Sequence, residues 1–279
     1  MRKKEFDAFF RDYAKNVDNA NRHGFWQLSD ALILQIIKDN IPAGIGKDAV
    51  ILDAGGGTGR WVCDLSRIYR SHFVVYDRSR DMLSKAEANI ETAGITERVR
   101  LVEGDLKDMQ TIESRSVDYI VSIYSPISFI YEKDKALGEM FRVLKKGGKI
   151  IIMGQGYHNA IASKINNYCA DARELGLLNK KHMVKWGEGV PALNVFSREI
   201  IEGDLKRAGF TPIKTYGVPV FAQPGPEDFD PTNRKKSRIS AALEDGKFFR
   251  QVFKLEMEHN SRPEVVDRGM NMFAVALKK

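Results

Sequence analysis

The stretch that decides the fold reads Ile51-Leu52-Asp53-Ala54-Gly55-Gly56-Gly57-Thr58-Gly59-Arg60. A short apolar run reaches an acid and passes through four glycines into residues 61–65, which have helical spacing. This order predicts a strand, a tight turn and a helix, because glycines allow positive φ and the close approach of a bound molecule. The first N–H groups of that helix would favour an anionic group in the same crevice.

The spacing of the glycines separates this loop from two common nucleotide-binding motifs. Gly55, Gly57 and Gly59 follow the pattern G-x-G-x-G, and Arg60 stands where a dinucleotide fingerprint has its third glycine. A phosphate-binding loop would need Gly-Lys-Ser/Thr, which is missing here. The loop by itself is compatible with a structural turn or with another cofactor.

Composition limits the class of protein. A chain of 279 residues with 43% hydrophobic residues allows one large α/β domain with additions, or two smaller domains. It contains no apolar run near the ~18 residues that span a bilayer, and no apolar segment follows the basic residues after Met1. Cys63 and Cys169 are too few for a disulfide framework or a zinc site, so we expect no metal and a reducing cytoplasm. The net charge of +7 arises from 44 basic and 37 acidic residues, a balance typical of a mixed solvated surface.

From residue 49 onward the pattern alternates between strand and helix, which predicts a parallel sheet with right-handed crossovers. Helical spacing also predicts two helices in residues 3–40, separated by a polar turn at 16–21. Strands are predicted at 49–53, 73–77, 98–103, 117–123, 148–153, 211–221 and 270–277, and helices at 59–69, 80–93, 134–145 and 198–208.

Acidic residues follow the second and third predicted strands. Asp77 closes the second strand, where a carboxylate can accept hydrogen bonds from a ribose diol. Asp105 follows the third strand, where it could accept the exocyclic amine of adenine, with Leu106 beside the ring. Since the carboxyl ends of parallel strands meet at one edge, these acids and Asp53 are predicted to share a ligand crevice.

The core resembles class I S-adenosylmethionine (SAM) dependent methyltransferases of the ubiquinone and menaquinone biosynthesis type, the type 11/25 group. The resemblance rests on the glycine loop and on Val75-Tyr76-Asp77-Arg78-Ser79, Glu103-Gly104-Asp105-Leu106, Val117–Ser122 and Met140–Gly148. It implies a Rossmann-like α/β sheet of seven strands, with helices on both faces and a helical lid over the C-terminal strand ends. SAM is the implied cofactor and S-adenosylhomocysteine (SAH) the implied product.

The resemblance also implies site residues. The glycine loop would face the methionine part of SAM, Asp77 the ribose, and Asp105 with its neighbours the adenine, while the end of the fourth strand would lie near the methyl group. The cofactor residues expected are Tyr13, Arg22, Asp53, Gly55, Gly56, Gly57, Gly59, Asp77, Arg78, Met82, Gly104, Asp105, Leu106, Ser122 and Tyr124.

Segments outside the minimal fold are predicted to cover the acceptor. We expect a helical cap at 1–45, the core at 46–153, a lid insertion at 154–196, further core at 197–221, a helical insertion at 222–269 and a final strand at 270–279. Loops of this length inside a compact domain are usually functional. The lid insertion is predicted to carry one amphipathic helix through Ile161, Ile165, Cys169, Ala172 and Leu175. The predicted acceptor pocket contains Trp26, Tyr157, His158 and Trp186.

His158 and Tyr124 are the preferred candidates for proton transfer, with His182 and Glu188 as weaker ones. We expect a SAM-dependent methyltransferase that modifies O or N of a small or medium-sized metabolite. One alternative is RNA as the acceptor, because Arg234, Lys235 and Lys236 form a basic run and the chain is diffusely similar to tRNA wobble-uridine carboxymethyl O-methyltransferases. A second alternative is a SAM-binding domain without catalysis. The oligomeric state stays open.

Overall fold

The computed structural model describes residues 3–15, 17–230 and 235–279. The strands are β1 (Val50–Ala54), β2 (His72–Asp77), β3 (Val99–Glu103), β4 (Val117–Ser122), β5 (Leu144–Gly156), β6 (Met183–Val184), β7 (Leu193–Phe196), β8 (Thr211–Val218) and β9 (Asn271–Leu277). The α-helices are α1 (Lys3–Ala14), α2 (Gly24–Asn40), α3 (Arg60–Leu65), α4 (Arg80–Thr92), α5 (Lys133–Val143), α6 (Tyr157–Asn166), α7 (Ala172–Lys181), α8 (Arg198–Arg207), α9 (Arg238–Ala242) and α10 (Gly246–His259).

The main sheet has the order β3-β2-β1-β4-β5-β9-β8. Strands β1 to β5 run parallel, and β9 runs antiparallel to both of its neighbours, β5 and β8. This confirms the predicted α/β sheet of seven strands. The segment 154–196 adds two short strands that were not predicted: β7 extends along Gln155 and Gly156 at the end of β5, and β6 pairs with β7.

Side chains that alternate along the strands build a core on each face of the sheet. Ile51 and Val75 point to the face covered by α2, α3 and α4, whereas Leu52 and Val74 point to the face covered by α5 and α8. Since both faces are buried, the strands read as nearly continuous apolar runs. Because β1 to β5 are parallel, their carboxyl ends meet at one edge of the sheet. The N-terminal helices and the segments 154–196 and 222–269 lie above this edge.

The structure corrects the predicted helix in segment 154–196. Two helices, α6 and α7, replace it, with a break over residues 167–171. Cys169, placed on the predicted apolar stripe, is exposed and has a φ of 46°. Asp171 caps α7 by accepting the backbone N–H of Glu174 at 2.8 Å. A helix that starts with its own cap cannot continue the preceding one, so the apolar spacing across the break was misleading. The polar turn predicted at 16–21 overlaps a 3₁₀ turn, Val17–Arg22, while Asn16 lies outside the described residues.

Candidate functional site

A cavity of about 1760 Å³ lies over the carboxyl ends of the parallel strands. Residues of α1, α2, the glycine loop, the ends of β2 to β5, α6 and residues 223–229 line it. The structure brings many of the sequence-predicted residues together in its wall: Tyr13, Trp26, Gly55, Gly56, Gly57, Asp77, Arg78, Met82, Gly104, Asp105, Leu106, Tyr124, His158 and Trp186.

Asp77 connects the glycine loop to the start of α4. Its Oδ2 accepts the backbone N–H of Gly57 at 2.9 Å, and its Oδ1 accepts that of Ser79 at 2.8 Å. Burial raises the pKa of Asp77, and the N–H groups of Ser79 and Gly57 oppose that rise. The backbone N–H of Arg78 also acts on this carboxylate, which with about four lone-pair positions keeps some acceptor capacity after these bonds. An acceptor of this kind in the cavity wall suits a ribose hydroxyl.

Asp53 lies beneath the glycine loop instead of in the cavity wall. Its side chain is 1% exposed, and a Cβ on Gly56 would stand 2.8 Å from its Cγ. Burial, followed by repulsion from Asp77, raises the pKa of Asp53 to about 7. Within the described chain its Oδ2 has no hydrogen-bond partner. The position of Asp53 therefore does not favour the predicted contact with a cofactor. Instead, its side chain packs against the glycine loop from below.

The end of β3 forms the next part of the wall. A Cβ on Gly104 would stand 1.9 Å from the Tyr76 hydroxyl, so this position has no room for a side chain. Asp105 Oδ1 accepts the backbone N–H of Lys107 at 3.0 Å, which orients the carboxylate beside the buried side chain of Leu106. An oriented acceptor next to an apolar surface suits a flat heterocycle with an amino group.

Tyr124, at the end of β4, belongs to a network with two residues that the sequence reasoning did not select. Its hydroxyl donates to Asp30 of α2, which also binds Arg60 at 2.6 Å and 3.2 Å. The Arg60 guanidinium lies 5.0 Å from the ring centre of Trp61 and 5.3 Å from that of Tyr124. Burial, then the charge of Asp30, raises the pKa of Tyr124 well above its ordinary value. The phenol keeps its proton and donates a hydrogen bond to Asp30, which argues against Tyr124 as a base.

The N-terminal helices approach the glycine loop through Asp18, another residue that the sequence reasoning missed. Its carboxylate accepts the Thr58 hydroxyl at 2.8 Å and the Asn89 amide at 3.2 Å. Tyr13 is 48% exposed and lines the cavity. Trp26 lines it as well, and its indole N–H donates to the carbonyl of Asp228 at 2.6 Å. No local pattern marks Asp18, because its partners lie 40 and 71 residues away.

The segment 154–196 places His158 and Trp186 in the wall. The His158 side chain is 52% exposed, and its Nδ1 lies 3.9 Å from Asp267 Oδ1. The indole N–H of Trp186 donates to Gln155 Oε1 at 2.7 Å. Tyr157 is not in the cavity wall; its hydroxyl donates to Asn179 of α7 at 2.7 Å.

Four other predicted site residues lie outside the cavity wall: Gly59, Ser122, Arg22 and Tyr157. Gly59 has a φ of 69°, and a Cβ there would stand 3.2 Å from the Cβ of Ala86, so it allows close packing of α3 on α4. The Ser122 hydroxyl is buried and donates to the carbonyl of Ala54 at 2.8 Å. Arg22 is exposed outside the cavity wall. These three, together with Tyr157, correct the predicted site, because their side chains or Cβ positions serve packing or face solvent.

The weaker candidates lie elsewhere. His182 ends α7 with a φ of 50°, and neither it nor Glu188 lines the cavity. In the basic run, Lys236 forms an ion pair with Glu244, while Arg234 lies outside the described residues.

Two kinds of feature are absent from the described residues. Nowhere in them do three or more metal-ligating side chains come together. Among their helices, none combines the length and the apolar character that crossing a bilayer requires.

Comparison with known proteins places the core in a family. Residues 51–148 match the family profile described as "Methyltransferase domain". The ubiquinone/menaquinone biosynthesis C-methyltransferase UbiE of Vibrio vulnificus is 33% identical over 107 residues, which are 37% of this chain and 40% of that protein. The alignment thus spans less than half the length of this curated relative.

Solved structures extend the similarity beyond the core. A chain of the complex between the Haloferax volcanii Trm112 methyltransferase activator and a candidate methyltransferase has a TM-score of 0.59 at 15% identity, covering 96% of this chain and 97% of that one. A structure from Methanococcus maripaludis, described as a candidate SAM-dependent methyltransferase, has a TM-score of 0.51 at 26% identity, covering 74% and 88%. Residues 51–148 of this chain therefore form a class I SAM-dependent methyltransferase domain.

Proposed function

We propose that this protein transfers a methyl group from SAM to an oxygen or nitrogen atom of a small or medium-sized metabolite. One observation carries the proposal: a single cavity holds the glycine loop, Asp77 and Asp105 in one part of its wall and His158 and Trp186 in another. Its volume of about 1760 Å³ exceeds the ~300–1,000 Å³ of a typical small-molecule pocket. A cofactor and an acceptor would both fit.

The chain's own residues fit the cofactor. Asp77 would hold the ribose diol through its open lone pairs, and Asp105 with Leu106 would hold the adenine. At Gly57, φ is 54° and the nearest contact of an added Cβ would be Met82 Sδ at 3.9 Å, so the backbone of the loop is open to a ligand. When bound, SAM would supply an electrophilic methyl group on a positively charged sulfur. Aromatic faces such as that of Tyr13 suit this charge.

Alignment is the main catalytic contribution that we infer. Holding the acceptor in line with the methyl group replaces a bimolecular encounter and can supply up to ~7–11 kcal/mol of the barrier. The segments 154–196 and 222–269 would act as a lid that keeps the acceptor in place and excludes water. Trp186, tied to Gln155, and Phe229 belong to the walls that these segments contribute.

His158 is the proposed general base. It lines the cavity, and the nearby carboxylate of Asp267 would stabilise the imidazolium that forms when a hydroxyl or amine acceptor loses its proton. We expect His158→Gln to lower kcat about 100-fold or more, the range for loss of general-base catalysis, while the affinity for SAH stays unchanged. Undiminished turnover would remove this role.

The relative UbiE is named a C-methyltransferase, so the product must also be tested for a methyl group on carbon.

The experiment uses SAM with a radiolabelled methyl group and a cell extract separated into small-molecule, RNA and protein fractions. We expect label in the small-molecule fraction, with SAH formed in equal amount. Label that enters RNA and is released by ribonuclease would overturn the metabolite assignment. Absence of SAH binding to the protein by calorimetry would overturn methyl transfer altogether.

A further inference from the structure

An arginine without a partner lines the cavity far from the residues proposed to hold the cofactor. Arg268 precedes β9. Three strand spacings of ~4.8 Å each separate β9 from β1, the strand that leads into the glycine loop, so the two strands lie ~14 Å apart across the sheet. Within the described chain its guanidinium forms no hydrogen bond or ion pair. Its neighbour Asp267 is engaged by the backbone N–H of Arg198 at 2.7 Å and lies near His158.

Two other acidic side chains of the cavity wall, Asp228 and Glu132, are already engaged. Asp228 accepts the Ser240 hydroxyl at 2.6 Å and the Gly225 N–H at 2.8 Å, and it is 1% exposed. Glu132 forms ion pairs with Lys107 at 2.8 Å and Lys135 at 2.5 Å. Both carboxylates are thus engaged by other groups, and Arg268 is an exposed guanidinium in the cavity wall.

Neutral amides and aromatic rings also line the cavity. Asn159 and Gln223 are joined by an amide hydrogen bond of 3.1 Å. Aromatic rings make up much of the rest, and Phe10 packs edge-on against Phe129 with ring centres 5.1 Å apart. The aromatic residues that contribute are Phe9, Phe10, Phe129, Tyr168, Trp186 and Phe229.

We propose that the methyl acceptor is an amphipathic anion: an apolar or aromatic body with one carboxylate or phosphate group that Arg268 binds. The planar guanidinium donates two parallel hydrogen bonds to either group, whereas a neutral acceptor offers it no charge-assisted partner. The apolar body would lie among the aromatic rings. This inference rests on the proposed function and specifies the substrate class of the same cavity.

The test measures binding of 2-naphthoate, 2-naphthyl phosphate and the uncharged 2-naphthamide to SAH-saturated protein by calorimetry. We expect one or both anions to bind about tenfold or more tightly than the amide, and Arg268→Gln to abolish this preference. Arg262→Gln is the matched control, because Arg262 has the same charge but pairs with Glu258 outside the cavity wall. The tighter binder of 2-naphthoate and 2-naphthyl phosphate shows whether the acceptor carries a carboxylate or a phosphate.

Several results would overturn the inference: equal affinity of anions and amide, no binding of either anion, or the same loss in both arginine variants. Melting temperatures of the variants without ligand exclude misfolding as the cause. Failure of the proposed function is seen separately, as absence of SAH binding to the wild type. If SAH binds and no anion preference is found, only the acceptor class is wrong.

Discussion

Replacing Asp77 by asparagine removes one charge and one acceptor oxygen while keeping the shape of the side chain. In the structure, the two carboxylate oxygens accept Gly57 N–H at 2.9 Å and Ser79 N–H at 2.8 Å. An asparagine can accept at one oxygen only, so its amide group must face one of these donors. The change therefore affects both the loop and any ribose bound beside it.

The size of the effect follows from these contacts. A hydrogen bond to a charged group contributes ~1.5–3 kcal/mol, and the variant loses at least one such bond from the ribose. We expect SAH to bind ~10–150-fold more weakly. The unpaired N–H at Gly57 or Ser79 would also lower the free energy of unfolding by ~1–3 kcal/mol.

Calorimetry with adenosine and 2′,3′-dideoxyadenosine separates the two effects. If Asp77 binds the ribose, the variant should weaken adenosine but leave the dideoxy analogue unchanged. Asp108→Asn is the control, since Asp108 is an exposed carboxylate near the same strand ends that does not line the cavity. An equal loss for both nucleosides would refute the reasoning, because Asp77 would then act only by shaping the glycine loop.

Three further predictions concern stability and are tested by urea unfolding. Asp53 has an ordinary pKa of 3.8 in the unfolded chain and a pKa of about 7 in the fold. Between these two pH values its carboxyl is protonated only in the folded chain, so the stability that this proton provides is lost as the pH rises through 7. Asp53→Asn should therefore gain up to about 4 kcal/mol relative to wild type between pH 4 and pH 8; a constant difference would contradict the raised pKa. Asp30→Asn removes the Asp30 carboxylate from Arg60 and should cost about 3 kcal/mol, against under ~1 kcal/mol for Asp12→Asn, whose ion pair with Lys15 is exposed; similar losses would argue against a buried network. Glu256 is fully buried and accepts three backbone N–H groups at 2.7–2.9 Å, so Glu256→Gln should cost ~2 kcal/mol or more, and a neutral result would disprove this anchor.

Much of the core is readable in the sequence because its signals are local. Apolar runs followed by Asp53, Asp77 and Glu103-Gly104-Asp105 indicate strand ends, and parallel strands bring such ends to one edge. The structure places Asp77 and Asp105 in one cavity wall as that logic requires. Asp53 belongs to the same pattern but lies beneath Gly56, because the β1–β2 register pairs it with Val75, two residues before Asp77 on the same face of the sheet.

The insertions show where periodicity fails. The spacing of Ile161, Ile165 and Leu175 fits one helix, yet the cap at Asp171 and the left-handed backbone at Cys169 divide it. Short helices depend on tertiary packing more than on propensity, so an apolar stripe alone does not decide where they end. The extra pairing of β7 with β5 likewise depends on a partner strand distant in the chain.

By itself, the sequence determined the order of strands and helices in the core, the glycine loop and the acids that follow the strands, because each depends on neighbours within a few residues. Tertiary structure alone decided that Asp18 and Asp30 tie the N-terminal helices to the loop and that Arg268 enters the cavity. These contacts join residues that are far apart along the chain. Hydrogen bonds and ion pairs of this kind form only when packing has brought both partners together and removed water from around them.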